Sequence, residues 1–555
     1  IDLSMYNNIQ ESPAVITLPA LLEKIVFLSD DYTREYNMRI IANEKRSKDL
    51  EVDFNNVNIY SRSYIGVDIR GLLNQTYKSI IRFSGNNTIR SSGANGILVT
   101  HNQTMNIIGS DAGSVLNVQG GMGNAGIGNS EVINLGGNII FSGSGTVNAI
   151  GGKGRIDGGF GIGFAHNTEG SSSITIKCNA KVYAAGGDGK EIDSDDPNVS
   201  RAGNGGDGIS LGDNGSLLVE KCPQETEASL KAVGGNGGIV TGGGSILNRK
   251  AGGNGGDGIS IVSGTISING ITEISGGNGT SPQNADSFGI QGGDGGYAIV
   301  FLEPSEQKNH LIIGDDSYLK GGDGGNSGVA VDFSELDLLL IPLEGGRGGN
   351  VIEAGSSILN AVLGSGSYIS GNGGKGGSPA VYGDVKGMSG ADMPGDGGSS
   401  GSIIHGTEIV DLIKSQDGSF VSGTPGSGGI GVDSSGNEVV GSTGTILKQF
   451  DIIERSSIHF GYVNLRTAFI FSEGRSYIKN ILNNYKKYKI NIHQIFQNCF
   501  NIEQLTVQNN YDLSNPKVLN GSLMILLLIT SCITPYEKTP LPVNTESYTN
   551  KNRES

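Results

Sequence analysis

The residues best suited to chemistry in this chain are two aspartates in near-identical settings. Gly252-Gly253-Asn254-Gly255-Gly256-Asp257-Gly258-Ile259-Ser260 fits the nonapeptide G-G-x-G-x-D-x-U-x, and Ala202-Gly203-Asn204-Gly205-Gly206-Asp207-Gly208-Ile209-Ser210 fits it with one change. A glycine turn that bares carbonyl oxygens beside a carboxylate suits calcium, a hard cation that takes six to eight oxygen ligands. Asp207 and Asp257 are therefore the candidate calcium ligands. Against that use, such a site is completed by a second nonapeptide directly after the first, whereas these two are separated by 50 positions. The competing reading makes both residues ordinary turn aspartates.

Paired carboxylates for sugar cleavage are the next possibility. Ile313-Gly314-Asp315-Asp316 faintly resembles the Gly-Asp-Asp motif of polygalacturonase-like glycosidases, in which two acids flank the scissile bond. The companion Asn-Thr-Asp, Gly-His-Gly and Arg-Ile-Lys segments are absent, and the six histidines (His101, His166, His310, His405, His459, His493) are scattered. Asp315-Asp316 reads better as a solvated turn, and no catalytic residue is assigned. The chain has no Trp, so sugar stacking would fall to Tyr183, Tyr297, Tyr318, Tyr368 or Tyr382. Hydrogen bonds from rows of Asn, Asp and Ser are the expected mode of glycan contact.

These residues sit in an unusual background. Of 93 glycines in 555 residues, two lie in 1–80, 86 in 81–440 and five in 441–555. Collagen is excluded because glycine does not recur every third residue. A free Gly/Ser linker is opposed by short Val/Ile clusters throughout. The middle block carries 18 basic and 36 acidic residues, most of the formal net charge of -16, which argues against nucleic acid as a partner. No apolar run reaches the roughly 20 residues of a membrane span. Cys178, Cys222, Cys499 and Cys532 suggest neither a disulfide framework nor a metal-ligand spacing. The chain begins at Ile1 with no visible leader, as expected of a mature or truncated form.

The elements that must position the candidates follow from the spacing of the glycines. Gly-Gly-x-Gly units begin at Gly120, Gly151, Gly186, Gly234, Gly252, Gly276, Gly292, Gly321 and Gly345, with looser versions near Gly203, Gly371 and Gly395, and the steps are about 16 to 18 or about 24 to 35 residues. Such periods mark solenoids, whose repeats bury their apolar faces only by stacking. Between the glycines lie β-prone runs such as Thr88-Ile89-Arg90, Ile97-Leu98-Val99, Met105-Asn106-Ile107-Ile108 and Val115-Leu116-Asn117-Val118. Three such strands make one coil, and glycine is expected at the sharp corners, where positive φ is needed. A polyproline-II-like glycine bundle is the rival use, and only Gly364–Gly401 approaches the periodicity of three that it requires.

Gly85-Asn86-Asn87-Thr88-Ile89, Gly96-Ile97-Leu98-Val99 and Leu116-Asn117-Val118-Gln119-Gly120-Gly121-Met122-Gly123-Asn124 resemble the glycine-rich β-solenoid surface proteins of bacteria described as carbohydrate-binding or adhesin-like. The resemblance is best over about 85–190. It implies an extracellular or cell-surface, non-enzymatic protein that presents an acidic face to a glycan or to a host or bacterial surface protein. It supplies no binding residues. A polysaccharide-active enzyme on the same scaffold and a purely structural spacer are the alternatives.

The expected architecture is all-β, a right-handed parallel β-helix over 81–440. Residues 1–80 are expected to form an N-terminal cap with an amphipathic helix over Leu18–Leu28. Residues 441–536 are expected to form a C-terminal segment in which 495–507 resembles one leucine-rich repeat, and 537–555 a disordered tail. Leu523–Cys532 resembles a lipoprotein signal with its lipobox, at a position where cleavage would release the solenoid.

Overall fold

Why short apolar runs nine or so residues apart make a stable protein is answered by what each run pairs with. In the computed structural model every long ladder is parallel, and each strand hydrogen-bonds the equivalent strand of the coil before and the coil after. The structure describes residues 1–460 apart from 4–12, 43–45, 47, 70–77, 101–102, 131–135, 167–170, 194–195, 197, 223–226, 243–249, 284–289, 303–307, 329–342, 377–395, 416, 433–437, 446–449 and 456–457. Among the described residues there is no α-helix, and 32 strands belong to one hydrogen-bonded network. The protein is an all-β parallel β-solenoid.

One coil contributes three strands. Ile97–Leu98, Thr104–Gly109 and Val115–Gln119 are followed in register by Ile127–Asn129, Asn138–Gly143 and Thr146–Ile150. Alternation does the sorting, since residues of one parity point inward and those of the other face out. The first ladder stacks Ile97, Ile127, Ile162, Ile209, Ile259, Ile299, Ile352 and Ile404 on one another, all buried. The second stacks Met105, Ile139, Ile174, Leu217, Ile266 and Leu311, and a single hydrophobic cluster joins both. Burying one such side chain contributes about 1.5–3 kcal/mol, so the core is assembled coil by coil.

The ladders extend beyond the expected limits at both ends. Lys24–Leu28 pairs with Leu50–Asn55, which pairs with Lys78–Ser84, which pairs with Thr104–Gly109. At the other end Ile404–Lys414 pairs with Phe450–Arg455 and Ile458–Phe460. The helix expected over Leu18–Leu28 is not formed. Pro19 starts a turn closed by Leu22 N–H to the Pro19 carbonyl, and Lys24–Leu28 is a strand. Its β-branched Ile25 and Val26 and the Lys24–Glu51 ion pair favour the ladder over local helix propensity. The leucine-rich-repeat-like segment, the lipobox-like run and the tail lie outside the described residues.

The glycines required a larger correction. Among the described residues only eight glycines have positive φ: Gly85, Gly123, Gly128, Gly143, Gly163, Gly242, Gly264 and Gly355. The Gly-Gly-x segments instead leave the third ladder, run outward, turn and come back to the first ladder. Gly186–Gly189 goes out and Gly203–Gly208 returns; Gly234–Gly238 and Gly252–Gly258 do the same one coil on. Hydrogen bonds alternate with a period of three. Gly205 N–H donates to Asn254 O of the next returning segment (2.9 Å), Gly206 N–H to Gly187 O of the outgoing segment (2.8 Å), and Gly208 N–H again to the next returning segment at Asp257 O (2.8 Å). The third residue of each triplet points away. This is the threefold, polyproline-II-like bundle, built as two layers of antiparallel segments.

Close approach, not corner geometry, is what demands glycine here. A Cβ placed on Gly206 would stand 2.2 Å from Gly159 O, and one on Gly256 2.1 Å from Gly206 O. The two sets of spacings acquire a cause. Steps of 16 to 18 residues cross the tip of one excursion, and most longer steps go round the solenoid.

The cysteines supply a second correction. Cys178 and Cys222 follow the second-ladder strands of neighbouring coils and form a disulfide, with Cα atoms 5.5 Å apart. Spacing could not reveal it, because the 44-residue separation is set by the length of that particular coil. Cys499 and Cys532 lie outside the described residues.

Candidate functional site

The coil length that separates Asp207 from Asp257 in sequence brings them onto adjacent coils. Each is the last outward residue of a returning glycine segment, just before a first-ladder strand. The equivalent places on the following coils are held by Tyr297 and Asn350. This column forms one wall of a corner whose other wall is the outward row Ser210, Ser260, Val300, Glu353 and His405, in lateral register along the first ladder.

The corner is tightly bonded. Asp207 Oδ1 accepts the Asp257 N–H (3.0 Å), and its Oδ2 accepts the hydroxyl of Ser260. Asp257 Oδ1 accepts the Tyr297 N–H (2.7 Å). Asn350 Oδ1 accepts the Ser402 N–H (2.6 Å), while its amide donates to Glu353 Oε2 (2.5 Å). Glu353 meets His405 Nδ1 at 2.8 and 3.0 Å. His166 Nε2 lies 2.8 Å from Ser260 Oγ and 3.5 Å from Asp207 Oδ2, and its ring packs on Phe160 with centroids 5.7 Å apart.

Burial, and then the charge of Asp207, push the Asp257 carboxyl well above the usual carboxylate range. Burial also raises the Tyr297 hydroxyl, with Glu353 and Asp257 adding to it. Serine, histidine and aspartate are thus in contact, but without the geometry of a nucleophilic triad. A relay needs the carboxylate on Nδ1 and the hydroxyl on Nε2, whereas here both sit at Nε2 and the serine donates to the carboxylate.

As calcium ligands the two aspartates are brought together but already engaged. Both oxygens of Asp207 and one of Asp257 accept protein hydrogen bonds. Among the described residues no group of three or more His, Cys, Asp or Glu could hold a metal ion. The same side-chain-to-backbone bond recurs on the outgoing layer. Asp188, Asn236, Asn278, Asp323 and Asn372 each accept, through Oδ1, the N–H of the next member, the last from Thr424 (2.8–3.0 Å). Asx at these places therefore serves as a ladder that satisfies the one backbone N–H of each triplet not bonded to another glycine segment.

Asp315-Asp316 is a turn, as expected: Asp316 has φ 58° and Asp315 Oδ1 accepts the Ser365 N–H (2.8 Å). Among the tyrosines, Tyr183 and Tyr318 face outward on the third ladder. Tyr368 is buried against Phe420 (4.9 Å) and Tyr382 lies outside the described residues. The sequence reading missed Ser260, Glu353, His166 and His405. The last residue of each nonapeptide, Ser210 or Ser260, carried a usable signal, since it stands three places after the aspartate. The histidines carried none. Comparison with known protein families, with curated proteins and with solved structures finds no match.

Proposed function

We propose that the protein is a non-enzymatic, exported, adhesin-like solenoid that binds a glycan or a surface protein through outward columns of polar side chains, with the glycine bilayer as a stiff flank. The observation that carries this reading is one column of the second ladder. Thr104, Asn138, Ser173, Ser216, Thr265, His310 and Asn360 stand in lateral register, partly or fully exposed, at the strand spacing of about 4.8 Å. Short hydroxyl and amide groups held at a fixed repeat suit a linear ligand rich in hydroxyls. They lose little side-chain entropy on binding, because the strands already hold them. The Cys178–Cys222 disulfide supports export, since such bonds persist in oxidising compartments. Among the described residues no helix is long and apolar enough to cross a membrane.

Binding of the full chain to a glycan array tests the reading. Specific binding that falls when Ser173 and Ser216 are changed together to Leu supports it. Binding indifferent to that change refutes the assignment to this column, and no binding to any glycan or cell surface leaves the spacer as the better account.

A second reading, a polysaccharide-active enzyme, is favoured by one observation only. A carboxyl held above its usual range, Asp257, lies beside the carboxylate of Asp207, an arrangement suited to general acid and base work. Release of reducing ends from a polysaccharide panel, abolished by Asp257→Asn, would establish it.

A further inference from the structure

The outward columns described so far carry short polar groups, but the first coils carry something different. On the corner between the third ladder and the first, before the glycine excursions begin, Asn37, Tyr60 and Arg90 stand in lateral register, with Arg39 on the same strand as Asn37 (Tyr36–Ala42) and Glu35 just before it. Arg39 lies over the ring of Tyr64 at 4.4 Å, and Arg90 over Tyr60 at 5.5 Å. Tyr64 is about half exposed at 48%, and Arg62 beside it is exposed.

The charges do not cancel. Arg90 pairs with Glu35, but among the described residues Arg39 has no hydrogen-bonded or ion-paired partner and Tyr64 is its ring contact. Arg34 lies over Tyr36 at 5.4 Å. Asp30 and Asp31 are exposed, and Asp31 Oδ1 accepts the Thr33 N–H (2.8 Å) and hydroxyl (2.6 Å). Against a chain of net charge -16, among the described residues this corner gathers Arg39 and Arg62 beside the Arg90–Glu35 pair. Elsewhere on these coils charges meet in pairs, as in Lys24 with Glu51 and Asp53.

We propose that this arginine and tyrosine corner of the first coils binds an anionic saccharide, one bearing carboxylate or sulfate groups. The proposal rests on the glycan-binding reading above and gives it a ligand class and a place. A guanidinium held over a tyrosine ring without another partner among the described residues presents a planar fork that matches the two oxygens of a carboxylate or sulfate. Tyr64, about half exposed beside it, offers an aromatic surface to the face of a sugar. An acidic peptide would satisfy the charge but make no use of that face.

The full chain is titrated at about 150 mM salt with polygalacturonate, dextran sulfate, unsubstituted dextran and polyglutamate. Binding of polygalacturonate, of dextran sulfate or of both, with neither dextran nor polyglutamate bound, is expected, and the pattern tells carboxylate from sulfate. Arg39→Lys keeps the charge but loses the planar fork, and Tyr64→Ala removes the platform. Each should weaken binding about tenfold with thermal melting unchanged. Anionic polysaccharide bound equally well by both variants overturns the corner site and leaves the glycan-binding reading intact, as does binding of neutral dextran alone. Polyglutamate bound as tightly as the saccharides, with the same loss in both variants, overturns the ligand class in favour of an acidic protein. No saccharide bound at all overturns both readings.

Discussion

Replacing Gly256 by alanine separates the two roles that glycine could have in this chain. Gly256 lies in the middle of a returning segment and has no positive φ, so its backbone conformation is open to any residue. The obstacle is a neighbour: a Cβ there would be 2.1 Å from Gly206 O and 2.5 Å from Gly206 C, where ordinary contact begins at 3.4 Å. Adjacent segments must separate by roughly 1 Å to accept it. Two buried bonds cross this point, Gly256 N–H to Gly235 O and Gly277 N–H to Gly256 O, both 2.8 Å. At about 1–3 kcal/mol for each of these two bonds lost, the cost is about 2–6 kcal/mol.

Gly123 is the contrasting case. Its φ is +68° and the nearest obstacle is Asp157 O at 3.2 Å. Asn tolerates that conformation, so Gly123→Asn should cost less than about 1 kcal/mol, whereas Gly256→Asn should cost as much as Gly256→Ala. Gly113→Ala, whose Cβ would meet only Asp111 Oδ1 at 3.4 Å, should stay within about 0.5 kcal/mol of the parent. Denaturant midpoints of the four variants provide the measurement. Gly256→Asn no more destabilising than Gly123→Asn would refute the packing argument and restore glycine to a corner role.

Three further outcomes follow from the corner and the disulfide. Because the folded Asp257 carboxyl holds its proton above the pH at which the unfolded one releases it, its contribution to stability is full at acid pH and falls as pH rises through the interval between the two values. Asp257→Asn keeps the acceptor for the Tyr297 N–H, so it should flatten the acid-to-neutral stability profile and raise stability at pH 7; an unchanged slope contradicts this. Chelation of calcium should leave the melting temperature unchanged, because the oxygens of Asp207 already serve Asp257 and Ser260, and a rise in melting temperature on adding calcium would show that cation binding displaces those bonds. Reduction of Cys178–Cys222, which closes 44 residues, should lower stability by about 2–4 kcal/mol, and a linked Cys178–Cys222 peptide should appear by mass spectrometry before reduction and vanish after it.

The strands were legible because their signal is local. Alternation in Met105-Asn106-Ile107-Ile108 and Val115-Leu116-Asn117-Val118 is enough to specify which side faces the core, and parallel stacking follows from repetition. Lys24–Leu28 was not legible, since an apolar run of that length fits a strand or a helix and its partner Leu50–Asn55 decides. The glycine bilayer was half legible. The periodicity of three is present within each segment, as in Gly234-Gly235-Asn236-Gly237-Gly238, but each run is short and the lattice appears only when segments from successive coils are laid together. For the same reason the 50-residue gap between Asp207 and Asp257 looked like separation in sequence and is adjacency in space. Ser260 could have been found from the nonapeptide, whereas His166 reaches it across 94 residues by a path that no spacing rule encodes.

Amide hydrogen exchange of the full chain tests the central structural claim most directly. If the glycine segments form a hydrogen-bonded bilayer, the amides of Gly252–Gly258 are as protected as those of the strand Gly264–Ile268, because Gly253, Gly255, Gly256 and Gly258 all donate to backbone carbonyls of neighbouring segments. Exchange of Gly252–Gly258 at the rate of unstructured peptide, with the strand still protected, would contradict it.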